Sequence, residues 1–321
     1  MRILFITSTR IGDAVLGSGA LAYLVDRYPE ARFTIACGPL AAPLFADVPR
    51  LDRIVVMHKR KRGGHWFDLW RTAAFTPWFM VVDLRASALA WSLLALHRRI
   101  LSPIKSTEHR VLRFSQVMRA DGVLTPRIFA GAETRARAAA LLPQAGVALA
   151  LAPTANWIGK QWPVERFAEL ARRLTQPGGA FAQAPVLVLG GPGERAAAEP
   201  LLAALAGTQT TALFGEVDLL TAYACLERCR LFIGNDSGLM HLSAASGIPT
   251  VGLFGPSREE MYAPWGPLGR VVRNARFEDI LNEDFDLYAN HSYMESITVD
   301  AVLGAVTSTL GAAPQPAMAA P

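Results

Sequence analysis

The chain has 321 residues, 51% of them hydrophobic and 18% charged, which excludes wholesale disorder and predicts two domains with a large core. Its formal charge of +5 hides a split: residues 1–145 hold 21 Lys and Arg against 10 Asp and Glu, net +11, while 146–321 hold 11 against 17, net −6. One half is therefore expected to meet an anionic partner, which charge alone leaves open among phosphate, nucleic acid, acidic glycan and membrane surface.

The opening MRILFITSTRIGD breaks its apolar run after about five residues, too few for a signal peptide. Residues 2–7 read as a strand, 14–27 as a helix, and 33–37, 53–57 and 79–84 as strands. The most apolar stretch, 86–96, is well short of the roughly 20 residues that span a bilayer and reads as a buried helix. A cytoplasmic location is expected, not necessarily far from a membrane. The helix and turn at 133–146 read as the domain join. Beyond it the alternation restarts, with strands at 147–152, 186–189, 211–214, 231–234 and 250–254, and helices at 164–174, 195–205, 219–229 and from Gly238. Apolar strands alternating with helices predict two doubly wound α/β units, 1–145 and 146–310. The Ala/Pro-rich end, 311–321, is expected to be a disordered tail. Cys37, Cys225 and Cys229 are too few for a disulfide framework, and Cys225 and Cys229 read as core residues.

Parallel sheets bind ligands at the carboxyl ends of their strands, so three loops matter. In the first, Thr7 to Asp13, Gly12 permits a tight turn and Asp13 reads either as a helix cap or as a general base. The adjacent Gly17-Ser18-Gly19 falls inside the helical pattern and reads as close helix packing, not as a dinucleotide fingerprint. In the second, Thr154 to Pro163, Lys160 follows Gly159 without the spacing of a Walker loop; it reads as a surface charge or a phosphate partner. The third, Gly234-Asn235-Asp236-Ser237-Gly238, carries a strand into a helix start, where exposed N–H groups bind anions. His241 returns on the same helix face and can add a donor.

Arg10-Ile11-Gly12-Asp13, Lys160-Gln161-Trp162-Pro163 and Gly234-Asn235-Asp236-Ser237-Gly238 through His241 to Gly255-Pro256 together resemble glycosyltransferase family nine, the ADP-heptose:lipopolysaccharide heptosyltransferases. The resemblance implies a GT-B fold, two Rossmann-like domains with parallel sheets facing a central cleft. It implies inverting, metal-independent transfer of heptose from ADP-heptose, a co-substrate and not a resident cofactor, to the lipopolysaccharide core. Asp13 matches the family's general base in the acceptor domain. Lys160 matches a lysine meeting the donor diphosphate, and Thr154, Asp236, Ser237, Gly238 and His241 match the nucleotide-sugar segments. Glu194 falls where the family often has a ribose-binding glutamate. The chain departs from the family pattern at Ser18-Gly19, at Asn156-Trp157 and over 277–294, where Tyr288 and His291 lie.

Displacing a nucleoside diphosphate from an anomeric carbon needs a base for the acceptor hydroxyl and positive groups for the departing charge. Asp284-Phe285-Asp286 offers a metal-binding pattern but sits in an acidic irregular segment, so it reads as a solvated loop. The basic half needs its own account: Arg10, Arg85 and the run Lys59, Arg60, Lys61 and Arg62 are assigned to an acidic acceptor. These charges suit a phosphorylated glycolipid in an anionic inner leaflet, at about 1 kcal/mol per basic residue. Nucleic acid fits less well, and none is expected as partner, because no recognised binding module or stacking-aromatic pattern accompanies the charge. Two alternatives stand beside this reading: another nucleoside-diphosphate sugar as donor, or a catalytically silent nucleotide-sugar-binding protein.

Overall fold

Strand β1 (Arg2–Ile6) is apolar at successive positions because both faces are covered, and it is buried from Ile3 onward. The computed structural model describes residues 1–273, 275–281, 285–286 and 290–312, which divide into two compact units at Gly131 and Ala132. In the first unit β1 is followed by α1 (Ile11–Leu16), α2 (Ser18–Arg27), β2 (Arg32–Cys37), β3 (Leu51–Val56), α3 (Gly64–Ala73), β4 (Trp78–Asp83), α4 (Leu89–Ser92), β5 (Ala95–Ile100) and α5 (Arg110–Met118). The sheet runs in the order β3-β2-β1-β4-β5, with every pairing parallel.

The second unit opens with α6 (Ala132–Leu141) and continues with β6 (Ala148–Ala152), α7 (Val164–Thr175), β7 (Val186–Leu189), α8 (Glu199–Ala204), β8 (Thr210–Leu213), α9 (Leu219–Leu226), β9 (Cys229–Asn235) and α10 (Gly238–Ala245). Then come β10 (Thr250–Leu253), α11 (Glu259–Tyr262), β11 (Gly269–Val272), α12 (Phe277–Ile280) and α13 (Val299–Ala312). Its sheet is parallel too, in the order β11-β10-β9-β6-β7-β8. Phe167 and Leu170 of α7 and Val302 and Val306 of α13 are buried in one core with Leu149, Ile233 and Leu253 of the strands. Gly252 seats α10 on the sheet: a Cβ there would lie 2.4 Å from Sδ of Met240.

The structure therefore has the two doubly wound units that the alternation predicts, and it corrects the reading in places. Helix α6 belongs to the second unit, tied to it by the Arg135–Glu227 ion pair at 3.0 Å and by Arg228 donating to the Leu142 carbonyl at 2.6 Å. The stretch 86–96 is not a buried helix. It makes the four-residue α4 and then enters edge strand β5, leaving Trp91, Leu94 and Leu96 exposed. Apolar content alone does not separate a buried helix from an edge strand. The glycine-containing stretch near residue 63 starts α3, with Gly63 in the left-handed region at φ 74°. Helix α13 extends through Ala312, so Gly311 and Ala312 are helical; residues 313–321 lie outside the described residues. The three cysteines are buried, and burial pushes the Cys37 thiol up to about 12.

The Gly17-Ser18-Gly19 segment is a packing device. Ser18 donates to the Val15 carbonyl and accepts from the N–H of Arg127 at 3.0 Å, while a Cβ on Gly19 would lie 2.2 Å from the Leu124 carbonyl oxygen. Backbone, unlike the end of a long side chain, does not yield cheaply, so Gly19→Ala is expected to cost about 1–3 kcal/mol of stability. Urea unfolding of the variant measures this, and an unchanged midpoint would contradict it.

Candidate functional site

In the first unit the strand order turns back at β1 and β4, so crossover helices leave the carboxyl ends of that pair open. The loops that follow supply Thr7, Ser8 and Asp13 from one strand and Leu84 and Arg85 from the other. With Leu101, Arg110 and Phe114 they line a cavity of about 190 Å³. Asp13 does not cap a helix: it is the third residue of α1, whose N-cap position is Arg10, with no side-chain cap bond. Its Oδ1 instead lies 3.4 Å from Nε of Arg110, and both side chains are largely buried.

Arg85 is the second cation at this cavity. Its guanidinium stands 4.8 Å from the centroid of the Trp66 ring. Its Nη1, like Oγ1 of Thr7, is buried without a hydrogen-bond partner. Burial holds the Arg85 guanidinium below its ordinary value, against the opposing pull of Asp83 and Asp13. The buried Asp83, last residue of β4, accepts from the N–H groups of Arg85 at 2.7 Å and Ser87 at 2.8 Å, which fixes the turn that presents Arg85. Burial pushes the Asp83 carboxyl up, and these hydrogen bonds oppose it. A half-buried cation whose buried Nη1 is an unused donor favours an anion beside it, and Asp13 is a carboxylate able to take a proton from a hydroxyl held there.

The other first-unit candidates do not line this cavity. Arg10, Lys59 and Lys61 are exposed, and Arg60 pairs with Asp68 at 2.9 Å on the surface. The side chain of Arg62 lies outside the described residues.

In the second unit the order turns back at β6 and β9, and the remaining candidates gather at their carboxyl ends. Nζ of Lys160 is 2.7 Å from Oδ2 of Asp236, whose side chain is 8% exposed. Nε2 of His241, on the first turn of α10, is 3.8 Å from Oδ1 of the same carboxylate. Ser237 holds the N-cap position of α10 in extended backbone but makes no cap bond, and its Oγ is buried without a partner. The first N–H groups of that helix, beginning at Gly238, have no partner within the helix. Beside this cluster, Thr154 donates to Glu194 at 2.5 Å and Glu194 accepts from the N–H of Gly191 at 2.8 Å. A loop lysine, a helix N-terminus, a histidine and two hydroxyls at a strand-order reversal make an anion-binding arrangement.

The residue that holds these loops together is Asn235, which sequence reasoning passed over as part of the Asp-Ser-Gly segment. It is fully buried. Its Oδ1 accepts from the N–H of Trp162 at 3.0 Å and its Nδ2 donates to the Pro153 carbonyl at 2.8 Å, so one amide spans both ends of the loop that carries Lys160. Trp162 is anchored again through its indole, which donates to the Ile297 carbonyl at 2.9 Å. Two departures from the family pattern meet here: the Trp157 ring lies 6.0 Å from Phe285 and 5.9 Å from Tyr293. Asp284 and Tyr288 lie outside the described residues. Asp83 carried a legible signal, an acidic residue closing an apolar strand. Arg110 reads only as one charge of a basic cluster, and its pairing with Asp13 carried no signal, because 97 residues separate them.

Residues 74–283 match Glycosyltransferase family 9 (heptosyltransferase). Over 312 residues, 85% of this chain and 88% of the relative, the chain is 26% identical to lipopolysaccharide heptosyltransferase 2 of Salmonella typhimurium (strain LT2). It is 26% identical to the Escherichia coli (strain K12) protein of the same name over 313 residues, with the same coverage. Among solved structures, E. coli ADP-heptose lps heptosyltransferase II superimposes with a TM-score of 0.72 at 22% identity, over 97% of this chain and 98% of that one. The glycosyl transferase family 9 protein of Veillonella parvula DSM 2008 gives 0.74 at 21%, over 97% of each chain. The fold is of the GT-B type, as the resemblance implied.

Removing the Asn235 amide would leave the Trp162 N–H and the Pro153 carbonyl buried without it. Asn235→Ala is expected to cost about 1–3 kcal/mol and to raise hydrogen exchange at the Trp162 amide. Wild-type protection there would show that the loop is held by other contacts.

Proposed function

The chain belongs to glycosyltransferase family 9 and is a glycosyltransferase; from that premise we propose that it moves a heptose from ADP-heptose to a lipopolysaccharide core acceptor, with inversion and without a metal ion. What carries the reading is the placement of Lys160, His241 and the uncapped Ser237 around the start of α10, which suits a diphosphate. The names of the Salmonella and E. coli relatives support heptose as the sugar.

The acceptor hydroxyl attacks the anomeric carbon on the face opposite the leaving group. A new C–O bond forms as the bond to the diphosphate oxygen breaks, the hydroxyl proton passes to the Asp13 carboxylate, and ADP departs with the electron pair. Lys160, His241 and the N–H groups at Gly238 meet the charge that grows on the diphosphate, a task a divalent cation serves in other transferases. Asp236 orients Lys160 and faces His241. Thr154 and Glu194 hold the nucleoside end of the donor. In the first unit, Arg85 and Arg110 bind an anionic group of the acceptor beside Asp13, and Arg10 contributes from the rim.

Lys59, Arg60, Lys61 and Arg62 meet an acidic glycolipid at the anionic inner leaflet, so the protein works in the cytoplasm, peripheral to the inner membrane. Among the described residues, no helix is long and apolar enough to cross a membrane.

Asp13→Asn keeps the shape and removes the base, so transfer should fall about 10²–10⁴-fold with ADP binding intact; unchanged turnover would remove Asp13 from the chemistry. Lys160→Ala should weaken ADP binding by about tenfold or more, the equivalent of one charge-assisted hydrogen bond, and an unaltered titration curve would refute the diphosphate role. A thermal-shift comparison of ADP, UDP, GDP and CMP should favour ADP. A preference for UDP or GDP would overturn the heptose assignment.

A further inference from the structure

Among the described residues thirteen large hydrophobic side chains are exposed, and seven of them fall within residues 56–104. Phe67, Phe75, Trp91, Leu94, Leu96 and Ile104 are between 59% and 86% exposed. A soluble surface carries single residues of this kind routinely, whereas a concentration of them marks an interaction site.

Their elements meet around Trp78. Its indole donates to the Ala73 carbonyl at the end of α3, and its N–H to the Leu94 carbonyl just before β5, both at 2.9 Å. Phe75 follows Ala73 by two residues and joins a chain of rings, 6.4 Å from Trp70, which stacks 6.0 Å from Phe67. Arg98 of β5 donates to the Ala90 and Leu93 carbonyls, bracing the turn that carries Trp91. The rings and leucines therefore belong to one region of the first unit, on a common buried core that includes Leu69, Ala73, Trp78 and Leu93.

The charge of this region says what covers it. Residues 53–113 hold 12 Lys and Arg against 3 Asp and Glu, net +9. A second copy meeting the same face would set two net-basic segments against each other, which disfavours a symmetric dimer. Nucleic acid would use the rings and the charge but gains nothing from exposed Leu94, Leu96 and Ile104. Exposed aromatic and aliphatic side chains amid arginine and lysine suit the boundary between headgroups and acyl chains of an anionic bilayer.

We propose that α3, α4 and the edge strand β5 form a bilayer-seating surface. Phe75, Trp91, Leu94 and Leu96 enter the acyl boundary, and the surrounding arginines meet anionic headgroups. This rests on the reading of the acceptor as a membrane-borne glycolipid and adds insertion to the electrostatic contact of residues 59–62.

The test uses the full chain with vesicles of phosphatidylcholine alone and of phosphatidylcholine mixed with phosphatidylglycerol. Wild type should co-sediment with the mixed vesicles, keep part of that binding at high salt, and show tryptophan quenching by brominated lipid that Trp91→Phe reduces. The triple variant Phe75→Ser, Trp91→Ser, Leu96→Ser should bind about tenfold more weakly or worse. Its ADP thermal shift should be unchanged, since all three side chains are exposed.

Undiminished binding by the triple variant, or complete loss of wild-type binding at high salt without quenching, would overturn insertion and leave the electrostatic contact. Failure to bind any vesicle, with heptose still transferred to a soluble truncated acceptor, would overturn the surface and leave the glycosyltransferase reading intact. Absence of transfer with normal vesicle binding would strike the enzyme reading alone. A wild-type dimer that the triple variant dissolves, or RNA binding that the variant loses, would assign the face to those partners and overturn the proposal.

Discussion

Both candidate clusters exist because a parallel sheet cannot cover every strand end with its own crossovers. Where the order reverses, the connections from two neighbouring strands leave toward opposite faces, and the carboxyl ends between them stay open. The reversal between β1 and β4 gathers Thr7, Asp13 and Arg85; that between β6 and β9 gathers Thr154, Lys160 and Asp236. The apolar strands thus settle where polar chemistry can stand, and the loops settle which chemistry it is.

Each opening is held by a buried polar residue that is poorly placed to be chemical itself. Asp83 anchors the turn that presents Arg85, and Asn235 anchors both ends of the loop that presents Lys160. The two devices differ in charge for a physical reason. Asp83 only accepts, from a pair of N–H groups and the Ser87 hydroxyl, a role a carboxylate fills. Asn235 must accept from one loop end and donate to the other, which a carboxylate cannot do. A neutral amide also leaves Asp236 as the negative charge facing Lys160 and His241.

The charge asymmetry of the chain acquires a location as well. The excess of Lys and Arg in the first unit lies mainly between residues 53 and 113, on α3, β5 and the segments beside them, along with most of the exposed rings and leucines. Among the described residues, two of those cations, Arg85 and Arg110, line the Asp13 cavity. Basic residues that a linear count treats alike therefore divide into a partly buried pair suited to one anion and a more solvated group suited to a surface.

By itself the sequence determined the fold class, most strand positions and the loops that carry Asp13, Lys160, Asp236 and His241, because short apolar runs between helical patterns and glycine-bearing strand ends are local signals. Its motifs were also specific enough to indicate the family. Only the tertiary structure decided that α6 joins the second unit, that 86–96 feeds an edge strand, and that Asp13 faces Arg110 instead of capping its helix. It alone placed Thr154 against Glu194 and gave Asn235 its two loop partners. These facts depend on residues tens of positions apart being brought within hydrogen-bond reach, and periodicity carries no record of partners at that range. Burial separated the roles further: the same apolar run reads as core in sequence, and only packing shows which of its side chains find neighbours and which remain in solvent.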